Sequence, residues 1–556
     1  MARRIDVRGD LGPVTEWTMA AVTARRAQLS GDTLFLRFIP DGRTYTYREL
    51  HRLTDGLAAA LQRLGIRQKQ HVAVITDNCP EQILGFYALG KLGAVSVPIN
   101  PATRGELLRY YLDHADCCCA IVAAELVPFL AEVVVAMPLL RRVLVIGDAA
   151  VARQQIAPSG IEVDEFPAQL DCSQAFQSPS RYCDLAYLIY TSGTTGPSKA
   201  IIVSHACAHS WGEQSVRFRY YEPGDVDYVF LPVFHASALL VQVTGALMAG
   251  TTVALTRRFS ASRFWDDVRS SGATRFNSVG AVGSFLYAQP ATARDLEHKL
   301  RVCTVTPAPP FVLDFERRFG VRVINNYVLS DYGAATWRPL DAPQEKIFSC
   351  GIPRDGFSVR IVDEDDIDVP AGSQGEILLR SEQPWSTPAG YYKMPEQTIE
   401  SRRNMWFHTG DRGYLDIDGY LYFIDRKKDA IRRRGENISA YEVERAILMH
   451  DAIEQVAVYP VRSEFTEDEV AASVVLKAGQ SISPEALIAH CIVNMSAFMV
   501  PRFLEFVDAL PLTPTSKVEK YKLKARAESA QTRLWDREQQ TPSSKVTPSG
   551  GVGQRS

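Results

Sequence analysis

The sequence has no uninterrupted apolar run long enough to span a bilayer, no two cysteines in C-x-x-C spacing and no excess of charge of either sign. Each absence closes off a class of function. A membrane-spanning helix needs about 20 consecutive, mainly apolar residues. The long segment 228–256 lacks Asp, Glu, Lys and Arg, but Pro232, His235, Ser237, Gln242, Gly245 and Gly250 interrupt it. It is therefore expected to be buried inside a globular fold. The ten cysteines, three of them adjacent at 117–119, have neither zinc-site nor thioredoxin-type spacing. Free thiols in a cytoplasmic protein are the expectation. Lys and Arg together number 61 against 64 Asp and Glu, a net charge of −3, so no global basic surface is available to hold a nucleic acid. The first residues, Met-Ala-Arg-Arg-Ile-Asp, mix charges without an apolar stretch, and no signal peptide is expected.

What is present is the composition of a large globular protein: 556 residues, 46% hydrophobic and 22% charged, enough for several domains with ample cores. Apolar spacing predicts an amphipathic helix over 47–64 (Leu50, Leu53, Leu57, Leu61), a strand over 71–76, a helix over 81–92, and strands over 94–98 and 142–146. This alternation predicts an α/β domain with buried, largely parallel strands. After about residue 350, short strands separated by Gly, Pro and Asp turns predict an antiparallel, barrel-like β subdomain. A charged stretch at 426–434 reads as a hinge, and helix and strand patterns at 441–494 suit a small α+β domain. The expected division is 1–425, 426–529 and a disordered Gln/Thr/Pro/Ser/Gly-rich tail, 530–556.

The strongest local signal is Tyr190-Thr-Ser-Gly-Thr-Thr-Gly-Pro-Ser-Lys-Ala200, which follows the apolar segment 185–189. Gly193 and Gly196 let backbone N–H groups approach a ligand closely. Thr191, Ser192, Thr194 and Thr195 add hydroxyl donors, and Lys199 adds a point charge suited to phosphate. The loop is not a Walker A motif, because Ser198 precedes Lys199 and Ala200 follows it.

These residues resemble the phosphate loop of the adenylate-forming superfamily of acyl-CoA synthetases, luciferases and adenylation domains, approximately Y/F-TSGTTGxPKG. Further segments resemble that family in order. They are Leu231-Pro-Val-Phe-His235, Thr306-Pro-Ala-Pro-Pro310, Tyr327-Val-Leu-Ser-Asp331, His408-Thr-Gly-Asp411, the stretch from Asp425 through Gly435 to Ser439, and Leu510-Pro-Leu-Thr-Pro-Thr-Ser-Lys517. The likeness covers about residues 15–528 and, around 423–439, is greatest to crotonobetaine/carnitine-CoA ligase-like acyl-CoA synthetases. A rival register for the Tyr327 motif, Tyr332-Gly-Ala-Ala-Thr336, lacks a carboxylate.

The resemblance implies a large N-terminal domain of α/β subdomains plus a barrel-like β subdomain and a small mobile C-terminal domain. It implies ATP, Mg2+ and CoA as cofactor or co-substrates, a small carboxylic acid as substrate, and it accommodates a homodimer. Lys517 becomes the adenylation lysine. Lys199 and the loop from Thr191 to Gly196 take the phosphates. Tyr327 stacks on the adenine, Asn326 belongs to the nucleotide-binding residues, Ser330 meets the α-phosphate, and Asp331 holds the metal. Asp411 clasps the ribose, with Arg426 on ribose or phosphate. His235 walls the acyl pocket from the pantetheine tunnel, and Gly435 reaches that tunnel after rotation about Lys428.

Departures from the family pattern fall at Thr306, Pro307, Val328 and Ser516, where glycine is usual, and at Asp331, where glutamate is usual. Side chains at Asn326 and Val328 imply a narrowed pocket, favouring a small polar or aromatic acid over a long fatty acid. Two other readings fit the residues: adenylation followed by transfer to a carrier protein or amine, and a non-catalytic nucleotide-binding regulator.

Overall fold

Strands whose two faces are both covered read as continuous apolar runs, and the segments His71–Ile75 (HVAVI), Val95–Ile99 (VSVPI) and Arg142–Ile146 (RVLVI) are of this kind. In the computed structural model, which describes residues 12–135, 137–191, 197–426, 430–463, 467–511, 518–529 and 534–540, they lie in a seven-stranded sheet. Its order is Glu162–Glu165, Arg142–Ile146, Cys117–Ala123, His71–Ile75, Val95–Ile99, Leu185–Thr191 and Lys199–Ser204. All neighbours are parallel except the last pair. A second seven-stranded sheet runs Arg322–Ile324, Val302–Thr306, Arg275–Val279, Val226–Val229, Thr252–Leu255, Leu34–Phe38 and Thr44–Thr46, again parallel but for the final hairpin.

Helices Tyr47–Arg63, Pro80–Leu92 and His205–Phe218 pack between the two sheets. The largest apolar cluster joins Leu57, Phe86 and Trp211 from these helices to Val72 of one sheet and Leu36 and Val253 of the other. Tyr47–Arg63 starts where it does because Thr46 and Glu49 form a reciprocal capping box. Pro80–Leu92 stops at Gly93, whose φ of 76° closes the helix in a left-handed turn.

The segment 228–256 becomes buried strand and helix: it contains a π-helical turn, Ser237–Val243, and the helix Thr244–Ala249. Among the described residues no helix is long and apolar enough to cross a membrane. All ten cysteines are free.

After residue 350, Phe357–Val362, Gly375–Ser381, Phe407–Leu415 and Leu421–Arg426 form a four-stranded antiparallel sheet. The smaller C-terminal domain has its own core, built from Ile431, Val443, Val458, Val474, Leu487 and Leu504. Within the described part of the polar tail, Trp535–Asp536 pairs with Phe503 and Leu504 as the fourth strand of the C-terminal sheet. Asp536 is buried and takes both Nε and Nη2 of Arg502, at 3.1 and 3.2 Å. A few specific contacts thus order a segment whose composition alone reads as unstructured.

Candidate active site

Strands Leu185–Thr191 and Lys199–Ser204 pair antiparallel, with Thr191 opposite Lys199, so the phosphate-loop motif is the connection of an edge hairpin. Ser192, Gly193, Thr194, Thr195 and Gly196 lie outside the described residues, as do Lys428, Ser516 and Lys517. At the base of the hairpin, Lys199 Nζ stands 4.7 Å from the centre of the Tyr391 ring. The Tyr391 hydroxyl donates to Asp331 Oδ2 at 3.1 Å. Asp331 Oδ1 is buried and has no partner. Burial and the neighbouring carboxylate hold the Tyr391 hydroxyl well above the usual tyrosine range, so it stays a proton donor. A cation, a fixed hydroxyl and an orphaned carboxylate oxygen thus meet at one corner of the site.

Further along, Thr306 Oγ1 donates to Asn326 Oδ1 at 2.8 Å, and Tyr327 donates its hydroxyl to Asp411 Oδ2 at 2.6 Å. Tyr327 is 5% exposed and Asp411 3%. Asp411 sits opposite Arg426 in the antiparallel pair formed by Phe407–Leu415 and Leu421–Arg426. Ser330 is exposed. The residues picked out between 306 and 411 are thus drawn to one edge, where the second parallel sheet meets the antiparallel one.

The C-terminal domain reaches the same place. Strands Ala430–Arg433 and Glu436–Ser439 form a hairpin turned by Arg434 and Gly435, with φ of 54° and 84°. Glu436 lies 3.0 Å from His235 Nε2, whose N–H donates to the carboxylate. Burial disfavours charge on this imidazole, but the charge and hydrogen bond of Glu436 outweigh it and raise its pKa. Gly435 packs so closely that a Cβ there would lie 2.9 Å from Val279 Cγ2.

A second contact closes over the end of the phosphate loop. The Ser198 N–H donates to Glu442 Oε1 at 2.8 Å, while Tyr110 and Tyr111 donate to Ser198 O and Oγ at 2.9 and 3.0 Å. Burial pushes the Glu442 carboxyl up to about 7. Arg445 with Glu106 at 3.2 Å and Ser496 Oγ to Ala102 O at 2.9 Å extend the interface.

A cavity of about 890 Å³ connects these parts. Asp331, Ser330, Asn326, His235 and Gly435 line it, with Phe230, Phe285 and Val282 toward the interior and Arg104, Arg257, Arg258 and Arg434 on other walls. Three of these arginines, Arg257, Arg258 and Arg434, have side chains more than half exposed. The segments 276–283, 306–310 and 325–328 each contribute to the lining of the cavity.

Sequence reasoning missed Tyr391 and Glu442. Tyr391 follows Gly390 in a turn-rich stretch with no other cue. Glu442 does carry a signal, but a misleading one. Ser439-x-x-Glu442 reads as a capping box, and Ser439 does cap the helix Ala440–Leu448, yet the glutamate reaches across to Ser198.

The family model described as AMP-binding enzyme matches residues 23–392, and that described as AMP-binding enzyme C-terminal domain matches 442–517. The chain is 31% identical over 490 residues to a crotonobetaine/carnitine–CoA ligase of Salmonella typhimurium, covering 87% of this chain and 93% of the relative. Among solved structures, o-succinylbenzoate CoA synthetase from Bacillus subtilis superposes with a TM-score of 0.78 at 21% identity, covering 94% of this chain and 99% of that one. An amide bond synthetase from Marinactinospora thermotolerans gives a TM-score of 0.79 at 24% identity, covering 90% and 99%. At these identities the two structures speak for the fold.

Proposed function

The chain belongs to the AMP-binding enzyme family, and from that premise we propose that it is an ATP-dependent acid–CoA ligase working in two half-reactions at one site. A carboxylate is a poor acyl donor because its leaving group would be oxide. Attack of the acid on the α-phosphorus of ATP expels pyrophosphate and leaves an acyl-adenylate, from which AMP departs readily. Negative charge builds on the phosphates in that step, and Lys199 and Lys517 offset it electrostatically. Asp411 holds the ribose, Tyr327 orients that carboxylate through its hydroxyl, and Arg426, Asn326 and Ser330 complete the nucleotide side.

Asp331 fits a magnesium ion, because its buried Oδ1 lacks a partner and Mg2+ takes one or two carboxylates together with phosphates. Such an ion, held by Asp331, would neutralise phosphate charge.

The small domain, hinged near Lys428 with its boundary at 425/426, then turns to bring Gly435 to the acceptor tunnel. The observation that carries the reading is the continuous cavity running from Asp331 to the His235–Glu436 contact, with arginines on its walls. Arg104, Arg257, Arg258 and Arg434 suit the phosphates of CoA. The acid is small and polar or aromatic. The test is a mass-spectrometric screen of carboxylic acids with ATP, Mg2+ and CoA. Acyl-CoA from one acid class is expected. Adenylate accumulating without acyl-CoA overturns CoA as acceptor, and nucleotide binding without pyrophosphate release overturns ligation altogether.

This domain arrangement binds protons. Glu442, pushed up to about 7 while docked, returns toward 4.5 when the small domain swings away. Docking against Ser198 therefore weakens as pH rises from about 4.5 to about 7. The His235–Glu436 contact is fully formed below 6.5 and is lost as pH passes the raised imidazole pKa. Both signs agree. The docked population, read by energy transfer between dyes on the two domains, is expected to rise as pH falls from about 8 to about 6. Glu442→Gln should flatten much of that response, and an unchanged slope would discount Glu442.

A further inference from the structure

The interior of the cavity is not uniformly apolar. Gln214 and Ser215 of the helix His205–Phe218, Arg219 just after it, Thr304 of the second parallel sheet and Arg354 all line it. Arg354 is 3% exposed, and its backbone N–H donates to Ala335 O at 3.1 Å, which fixes the residue behind the Val328–Ala334 hairpin. Its Nη1 donates to Gln214 Oε1, and its guanidinium lies 4.0 Å from the Phe357 ring centre. Its Nε and Nη2 are buried and make no hydrogen bond.

Among the described residues no carboxylate forms an ion pair with Arg354. Glu213, within electrostatic range, lies 3.9 Å from Arg217, which also pairs with Asp355 at 2.9 Å. Burial draws the Arg354 pKa down to about 9, so it is still a cation at neutral pH.

Arg219 differs in having a counter-ion, since its Nη1 pairs with Asp227 Oδ2 at 3.4 Å, but it adds a spare donor. It is 5% exposed, makes further long contacts of 3.3–3.5 Å to Thr304, Ser215 and Tyr221, and leaves Nη2 unpartnered. Asp227 in turn also accepts from Tyr221 and Gln242 at 2.6 and 2.8 Å. A buried charge without a counter-ion is costly, and unpaired buried donors cost more than paired ones gain. A ligand that brings a carboxylate relieves both penalties, whereas one ending in an alkyl chain or a quaternary ammonium relieves neither.

Resting on the ligase reading above, we propose that the acid activated by this enzyme is a dicarboxylic acid: one carboxylate reacts beside His235, and the other is bound at the interior end by Arg354, with Gln214 and Arg219 as supporting donors. Guanidinium is suited to this task because its donors form a fork matched to a carboxylate. Arg354 is here a specificity-determining residue that acts in binding.

The experiment compares kcat/KM for acyl-CoA formation with succinic, glutaric, adipic and phthalic acids against the mono-methyl ester of each, and with a trimethylammonio-carboxylic acid. In the unaltered protein the best dicarboxylate is expected to exceed its mono-ester by about 100-fold or more, and the cationic acid should be inert. Arg354→Met should remove most of that preference through KM, leave turnover of the mono-esters within about threefold, and be partly rescued by Arg354→Lys. If Arg354→Met does not fold, Gln214→Leu is expected to show the same loss in smaller measure. Equal turnover of dicarboxylates and mono-esters by the unaltered protein overturns this inference while leaving the ligase reading intact. Failure of every acid to yield an adenylate overturns both.

Discussion

Replacing Gly435 with leucine is expected to cut acyl-CoA formation by about 100-fold or more while leaving adenylate formation within about threefold of the original. Two physical effects act together. Gly435 holds φ at 84°, where a side chain costs about 1–2 kcal/mol. Its Cα also faces Val279, and even the first carbon of a side chain would lie 2.9 Å from Val279 Cγ2. Val279 lines the cavity at the end of the strand Arg275–Val279, whose backbone is fixed by parallel pairing to Val302–Thr306. The wall cannot recede cheaply, so the hairpin must, and Glu436 leaves His235. Overpacking of this kind costs about 1–3 kcal/mol on its own. The measurement is paired: pyrophosphate exchange for the first half-reaction, thioester formation from supplied acyl-adenylate for the second. A variant that loses both equally, or neither, contradicts the assignment of this turn to the second step.

The complementary substitution, Lys517→Ala, should do the reverse. Adenylate formation is expected to fall by about 1,000-fold, because removal of one preorganised charge from a developing oxyanion costs about 3–4 kcal/mol. Thioester formation from supplied acyl-adenylate should persist, since the contact made at His235 belongs to Glu436. The two variants together ask whether one site serves two reactions. If Lys517→Ala blocks both halves, the lysine acts in the docked arrangement as well, and alternation of the two loops is wrong.

Much of this was readable before any fold was known, for identifiable reasons. The helix expected over 47–64 is Tyr47–Arg63, because its apolar spacing and its Thr46–Glu49 cap point the same way. The parallel sheet was legible because strands covered on both faces are nearly pure apolar runs. Lys199, Asp331 and Asp411 stood out because each falls in a segment that resembles a motif of the family, in the family's order.

What escaped notice depends on partners distant in the chain. Ser198 and Glu442 are 244 positions apart, and the local pattern around Glu442 is already explained by helix capping. Arg354 looks like any turn arginine until its missing counter-ion is seen in three dimensions. The pairing of Trp535 and Asp536 is hidden for a related reason: it depends on the strand Phe503–Phe506 and on Arg502, neither of which is visible in the tail's own composition.

That last strand has a practical corollary for anyone shortening the chain. The family model ends at residue 517, and a cut soon after it looks harmless on paper. It would strip the neighbour from Phe503–Phe506, leave the Arg502 guanidinium without Asp536, and bare the indole-sized gap beside Glu485 where Trp535 Nε1 donates at 3.2 Å. An uncovered strand edge with apolar flanks is a template for sticking to other molecules. Affinity tags and fusion partners therefore belong beyond residue 540, and a truncated protein that precipitates would be reporting a lost edge guard and not a damaged catalyst.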